Sequence, residues 1–278
     1  MNREEPIIAM ESPLRRGFPD RLRRLSRHVV LIIGSILMLI PFIWMVSTSF
    51  KVPTEIIIWP PQILPKSPTW MNYLTVFKTI PILRYLFNSF FIASISTVLV
   101  IATSVVAGYI FAKFPFPGSN VLFILVLATA IVPLESYIVP FYLQMIDLKW
   151  VNTYQGIIAP FAIMSFGIFL MRQHIRSSIP DEYIDAARID GASEWNIFRR
   201  IIIPLSTSAI GALGIFAFIQ AWGAFLWPLL MANDQRIFNM ELGLTAFQFK
   251  FSVEYGPLMA GSVLNILPMI IAFIFLRR

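Results

Sequence analysis

The sequence predicts an all-α, polytopic membrane protein whose chain crosses the bilayer six times. Three observations predict it: the composition, six long apolar segments, and an uneven distribution of Lys and Arg among the loops between them. Of 278 residues, 57% are hydrophobic and 13% charged, and the mean hydropathy is +0.74. An ordinary soluble domain carries about 25% charged residues, and a water-soluble core of this size has no room for so many apolar side chains. Cysteine is absent, which excludes a disulfide framework, a thiolate metal site and a cysteine nucleophile. His28 and His174 flank separate apolar segments. Two scattered histidines are a poor start for a metal site, so neither a metal nor a cofactor is expected.

A helix rises about 1.5 Å per residue, so crossing a hydrocarbon core of about 30 Å takes roughly 20 apolar residues. Residues 29–50 form the first such segment, with no charge inside it. A signal peptide has an apolar region of about 7–15 residues. This one is longer, continues through Pro41 and has no A-x-A site, so it reads as a retained helix. The second segment lies in the uncharged stretch 85–112, bracketed by Arg84 and Lys113. The third, 121–145, holds one charge, Glu135, and the fourth, 151–171, holds none. The fifth lies within the uncharged stretch 201–233, and the sixth is 255–276. Only helices and closed barrels satisfy their backbone groups in lipid. Continuous apolar segments, rather than alternating ones of about ten residues, select helices. The chain therefore divides into a basic tail (1–28), a first span (29–50), an extracytoplasmic loop (51–84) and a five-span core (85–278) with a long internal loop at 172–204.

Six spans put both ends on one side. That side carries 15 of the Lys and Arg residues: those of the N-terminal tail, Lys113, the loop residues Arg172, Arg176, Arg188, Arg199 and Arg200, and the pair Arg277-Arg278. The other side carries 7: Lys51, Lys66, Lys78, Arg84, Lys149, Arg236 and Lys250. By the positive-inside rule both termini are cytoplasmic. The formal charge of +7 is thereby a topology signal, and no nucleic-acid partner is expected. The loop 51–84 contains Pro53, Pro60, Pro61, Pro65, Pro68 and Pro81, so it cannot be one long helix. It reads as an ordered cap with short helical turns, presenting Trp59, Trp70 and Tyr73 to an extracytoplasmic partner. The external loop 234–254 is long enough for another short helix.

The internal loop reads SIPDEYIDAARIDGASEWNIFRRIIIP over residues 178–204. Pro180 suits a first helical position, and Asp181 and Glu182 suit the positive end of the helix dipole. Gly191 tolerates the left-handed backbone of a C-terminal cap, and Ser193 can cap the next helix, with Glu194 in its first turn. Tyr183, Ala186 and Ala187 share a face by the i, i+3, i+4 rule. Small side chains there let a helix sink into a partner's groove. A helix resting on the bilayer surface would place large apolar residues at those positions. Both readings are open on local physics.

Asp185-Ala186-Ala187, Gly191, Ile201, Ile203 and Pro204 reproduce a longer pattern: E-A-A, three residues, G, nine residues, I-x-L-P. The loop thus resembles the EAA loop of permeases from binding-protein-dependent ABC importers, with Asp185 for Glu and Ile203 for Leu. The likeness extends from about residue 88 to the C-terminus. It implies the type I ABC importer permease fold with a cytoplasmic coupling helix, in the cytoplasmic membrane of a bacterium or archaeon. It also implies a second homologous permease subunit, two ABC ATPase subunits and an extracytoplasmic solute-binding protein. Glu182, Tyr183, Asp185, Ala186, Ala187, Asp190 and Gly191 are the residues it assigns to the ATPase contact. No G-x-x-x-x-G-K-[ST] stretch is present, so the chain has no phosphate cradle of its own and no catalytic residue is expected.

Further stretches are similar to the sugar-importing, maltose-permease-G-like branch: Tyr85-Leu-Phe-Asn88-Ser89, Ile131-Val-Pro133, Pro140-Phe-Tyr, Leu148 with Asn152-Thr153-Tyr, Trp222-x-x-Phe-Leu-Trp227-Pro228 and Gly256-Pro-Leu-Met-Ala260-Gly-Ser. Together they imply a carbohydrate cargo. That branch continues past the last span into a short glycine-containing tail, whereas the sequence stops at Arg277-Arg278; either it is truncated or a tail contact with the ATPases is missing. Within the spans, Glu135, Gln220, Trp222 and Asn265 are candidates for the substrate pathway, Glu135 first because a carboxylate at depth normally faces a cavity or a partner. Against that stand a structural pairing for Glu135, ordinary packing for Gln220 and Trp222, and interhelical hydrogen bonding for Asn88 and Asn265. Ser208, Gly211, Ala212, Gly214, Ala217 and Ala221 predict a closely packed face central to the bundle. Two rivals remain: an ion-coupled carrier, which would show internal repeats that are not evident here, and an importer of this architecture for an amino acid, peptide or anion.

Overall fold

The computed structural model describes residues 19–248 and 252–276, with side chains from 24 to 248 and from 252 to 274. The basic tail up to residue 18, Lys250 and Arg277-Arg278 lie outside the described residues. Helix α1 (Pro19–Ser49) starts well before the apolar segment begins at 29 and runs straight through Pro41. Its apolar side chains are exposed on nearly every side, Val30 at 69% and Met38 at 77%. Within the chain its main partner is the last helix. Such a surface belongs in lipid or against another subunit.

Lys51 closes the first span. It is buried, lies 4.1 Å over the Trp44 ring and donates to the Gln62 carbonyl at 2.6 Å. The loop that follows holds α2 (Pro53–Ile56) and α3 (Met71–Thr79). It is tied down by Asn72, which donates to the Ser49 and Lys51 carbonyls. The prolines keep it from becoming one helix, as its composition predicts.

Helix α4 (Ile82–Lys113) is the central pillar. The third predicted span is instead two helices, α5 (Ser119–Thr129) and α6 (Leu134–Asp147), set at 95°. Pro133 causes the break: it offers no N–H to a preceding turn and pushes Val132 out of helical conformation. The fourth is likewise a pair, α7 (Tyr154–Ile158), extended by a short 3-10 turn, and α8 (Ser165–Ser178), bent by 48°. The internal loop carries α9 (Asp181–Ile189), α10 (Glu194–Ile197) and α11 (Ile203–Leu205), with a π turn at Phe198–Ile202. Pro204 accounts for the wide turn, because its ring and missing N–H disrupt regular α bonding there. The fifth span is α12 (Thr207–Trp222), at 76° to the loop helices before it. Helices α13 (Leu226–Met231), α14 (Met240–Gly243) and α15 (Tyr255–Leu276) complete the chain. The first, second and sixth predicted spans are thus single helices, the third and fourth are bent pairs, and the fifth is α12 set at an angle to the loop helices before it.

Helices α8 and α12 pack on α4, and small residues set the distance. A Cβ on Gly108 would come 2.6 Å from Met171 Cβ, and one on Gly167 would come 2.4 Å from Ser104 Oγ. Without a hydrophobic drive between helices in lipid, such close backbone approach supplies the association. On α12 the packed face holds Gly214, Ala217 and Ala221, while Ser208 and Ala212 are exposed. The small-residue set read from the sequence is therefore split between two faces.

Candidate coupling surface and pathway

The turn between α9 and α10 is built by Gly191. Its φ is +80°, a region closed to most L-residues. The Gly191 N–H bonds the Arg188 carbonyl at 3.0 Å and the Ala192 N–H bonds the Ala187 carbonyl at 2.9 Å. That crossed pair satisfies the last carbonyls of α9, as in a Schellman cap. Ser193 Oγ accepts from the Asn196 N–H at 3.4 Å and starts α10. Pro180 stands one residue outside α9, in extended conformation, rather than at its first position.

Ionic contacts clamp this loop to the bundle. Lys113 Nζ, at the end of α4, donates to the Ile179 carbonyl at 2.6 Å and to Asp181 at 2.5 Å. The hydrogen bond from Lys113 holds the Asp181 carboxyl below the usual carboxylate range. Glu194 accepts from Arg188 at 2.8 Å and from the Tyr109 hydroxyl of α4 at 3.0 Å. Arg188 holds the Glu194 carboxyl low as well, and also donates to Asp185 at 3.2 Å.

The two alanines of α9 have different roles. Ile184 is 2% exposed, and Ala187, one position short of a turn later, packs on the same core. Tyr183 and Ala186 point outward with Glu182, Asp185 and Asp190. The face predicted for Tyr183, Ala186 and Ala187 is corrected accordingly: Ala187 is small because the chain's own core crowds it. Two outward residues escaped the sequence reading. Ile189 is 87% exposed, and Trp195, stacked on Phe198 with centroids 5.6 Å apart, is 65% exposed. The available signal was a pair of large apolar side chains within an otherwise polar turn.

The breaks in the third and fourth spans meet. The hydroxyls of Thr129, ending α5, and Ser165, opening α8, lie 2.6 Å apart. Around them is a cavity of about 710 Å³, lined also by Tyr137 and, from α12, by Gln220. Gln220, a candidate for the substrate pathway, lines this space. Glu135 sits in the first turn of α6 beside this break, exposed, and makes no ion pair among the described residues. Trp222 and Asn265 are placed differently from the prediction. Trp222 is 1% exposed, stacks on Phe218 and donates from its indole N–H to Asn265 Oδ1 at 2.9 Å. Asn265 Nδ2 in turn donates to Glu241 Oε1 at 2.8 Å. Both are committed to an interhelical chain, because an unpaired indole or amide in this apolar interior would be costly. Asn88 is also interhelical: it donates to the Arg236 and Phe238 carbonyls and accepts from the Tyr154 hydroxyl. No group of three or more metal-ligating side chains occurs among the described residues.

A helical bundle with apolar outer faces, broken spans around a largely apolar cavity carrying a few polar groups, and a clamped, outward-facing loop helix defines, among the described residues, a multi-pass membrane permease. Residues 104–278 match the model of the binding-protein-dependent transport system inner membrane component family, and the chain belongs to that family. It is 35% identical over 215 residues to the arabinooligosaccharides transport system permease protein AraQ of Bacillus subtilis (strain 168), covering 77% of this chain and 76% of that one. It is 29% identical over 264 residues to the diacetylchitobiose uptake system permease protein NgcG of Streptomyces coelicolor, covering 93% and 87%. Its fold is similar to one chain of a bacterial ABC transporter involved in the import of the acidic polysaccharide alginate. There the TM-score is 0.80 at 22% identity, over 96% of this chain and 99% of that one.

Proposed function

We propose that this chain is one of two membrane-spanning subunits of an ATP-driven carbohydrate importer, with both termini in the cytoplasm. A separate ATPase receives α9, and an extracytoplasmic solute-binding protein delivers the cargo. The observation that carries this reading is the outward face of the loop: Tyr183, Ala186 and Ile189 on α9 and Trp195 on α10 stand exposed on helices that are themselves clamped to α4. The chain lacks a phosphate-binding loop, so hydrolysis has to come from a partner. The names of its relatives, an arabinooligosaccharide and a diacetylchitobiose permease, support a sugar cargo.

The clamp supplies a route for coupling. A loose loop would absorb the motion of an ATPase, since a partner shifts an equilibrium only through differential contacts with its two states. Here Lys113–Asp181 and Tyr109–Glu194 tie α9 and α10 to the end of α4, on which α8 and α12 pack. Movement of α9 is passed to the helices that line the cavity. Glu135 makes no ion pair among the described residues and stands next to the cavity-lining Leu134; its carboxylate, too costly to leave in lipid, is proposed to meet the pathway or the second permease subunit.

Ala186→Trp tests the docking face without disturbing the bundle, because the Ala186 side chain is exposed. Overpacking a close contact costs about 1–3 kcal/mol, so the ATPase should be lost on co-purification while the permease stays folded. Full ATPase retention, with substrate-stimulated hydrolysis unchanged, would refute this docking face.

A further inference from the structure

A second cavity, of about 300 Å³, lies near the external end of the bundle, between α14 with the turn after it and α15. It is lined by Glu241, Thr245, Gln248, Ser262 and Phe225, with Leu and Met side chains beyond. Glu241 is partly buried, and only one of its oxygens is engaged: Oε1 accepts from Asn265 Nδ2, whose own oxygen is fixed by the Trp222 indole. Among the described residues Oε2 makes no hydrogen bond, and Glu241 belongs to none of their ion pairs. The hydroxyls of Thr245 and Ser262 donate to the carbonyls of Leu242 and Leu258, which leaves their lone pairs free to accept.

A carboxylate held at a fixed angle by a buried three-residue chain, with one oxygen free and no cation paired with it among the described residues, is costly unless something donates to it. Its neighbours are mainly acceptors, an amide and an aromatic edge. A polyhydroxylated, uncharged ring meets that set: its hydroxyls donate to the carboxylate and its C–H face packs on Phe225. A uronate or a sugar phosphate would bring a like charge to Glu241 and be rejected.

We propose that this cavity is a sugar-contact site of the permease, in which Glu241 selects neutral over acidic oligosaccharides, Asn265 and Trp222 being positioning residues. The proposal rests on the carbohydrate reading above and adds the charge class of the cargo. The fold shared with a chain of an alginate importer is compatible with it, because fold alone carries no cargo preference.

The test uses the complete importer, purified with its partner subunits and reconstituted in nanodiscs, with radiolabelled arabinotriose and trigalacturonate as probes. Equilibrium binding is measured without the solute-binding protein. Wild type should bind arabinotriose and not trigalacturonate. Glu241→Gln keeps the side-chain shape and its bond to Asn265, and should weaken arabinotriose binding roughly ten- to a hundredfold, the loss of a charge-assisted hydrogen bond. Gln248→Ala, at an exposed position that cannot unfold the bundle, should weaken it severalfold. Trp222→Phe removes the indole donor that fixes Asn265 and should weaken arabinotriose binding severalfold in complexes that assemble in wild-type yield; undiminished binding would deny Trp222 its positioning role. Wild-type affinity in both Glu241→Gln and Gln248→Ala overturns the proposal while leaving the carbohydrate reading intact. Binding of neither probe by the wild-type complex overturns both.

Discussion

Replacing Gly191 with alanine isolates backbone strain at the turn that presents α9. The φ of +80° lies in the left-handed region, and an added Cβ would meet nothing within 4 Å. Steric collision with neighbours is therefore absent, and the cost is that of a left-handed L-residue, about 1–2 kcal/mol. The variant either keeps the turn under strain or opens it, losing the bonds that join Ala192 to Ala187 and Gly191 to Arg188. The base of α9 stays anchored through Lys113 and Asp181, so the spans are untouched. If the ATPase docks only on the closed turn, its affinity falls by the same free energy, roughly 5- to 30-fold. Titrating labelled ATPase onto the permease in nanodiscs reads this directly. Gly191→Asn should lose less, because asparagine enters the left-handed region more readily. The reasoning is refuted if alanine binds as tightly as glycine, or if asparagine is worse than alanine.

Other outcomes follow from the packing. Gly108→Leu should prevent stable insertion, because its Cβ alone would come 2.6 Å from Met171 Cβ and 2.8 Å from the Arg172 amide; a wild-type yield of folded permease would contradict the close α4–α8 crossing. Ala187→Trp should lower the thermal stability of the permease itself by about 1–3 kcal/mol, whereas Ala186→Trp should not; equal melting curves would erase the distinction between the two alanines. Glu135→Leu should reduce transport while the complex still assembles, and unchanged transport would make the carboxylate a bystander. Since the chain has no cysteine, single cysteines at Ser67 and Asn196 should label from opposite faces of intact cells, and labelling of both from outside would overturn the proposed topology.

How much was legible depended on the range of the interaction. The loop 178–204 is local chemistry: a left-handed glycine, a serine cap and acidic residues at a helix start are each decided within a few residues. That explains why the Gly191 turn and the Ser193 cap stand where the sequence puts them. The apolar segments were visible for the same reason, since lipid acts on each residue alone. The breaks inside the third and fourth spans were harder, because Pro133 and residues 162–164 lie in stretches whose hydropathy does not change. Partner-dependent positions were harder still. Trp222 and Asn265 carry the chemistry of a sugar site, and only the folded chain shows Asn265 reaching across to Glu241, 24 residues away in sequence. Ala187 looked like a docking residue until Ile184, three positions earlier, turned that side of α9 inward. Ile189 and Trp195 were visible as large apolar side chains in a polar turn, but only the folded chain shows that they face outward.

The central claim is that α9 and its turn are received by a separate ATPase. A photo-reactive benzoylphenylalanine placed at Ile189, at the end of α9 and 87% exposed, reports its neighbour directly when the assembled importer is irradiated in native membranes. The account predicts a covalent adduct between this chain and an ATPase subunit, identified by mass spectrometry, and reduced when Gly191→Ala is combined with the probe. Adducts with lipid alone, with the assembled ATPase present, would contradict it and return α9 to the bilayer surface.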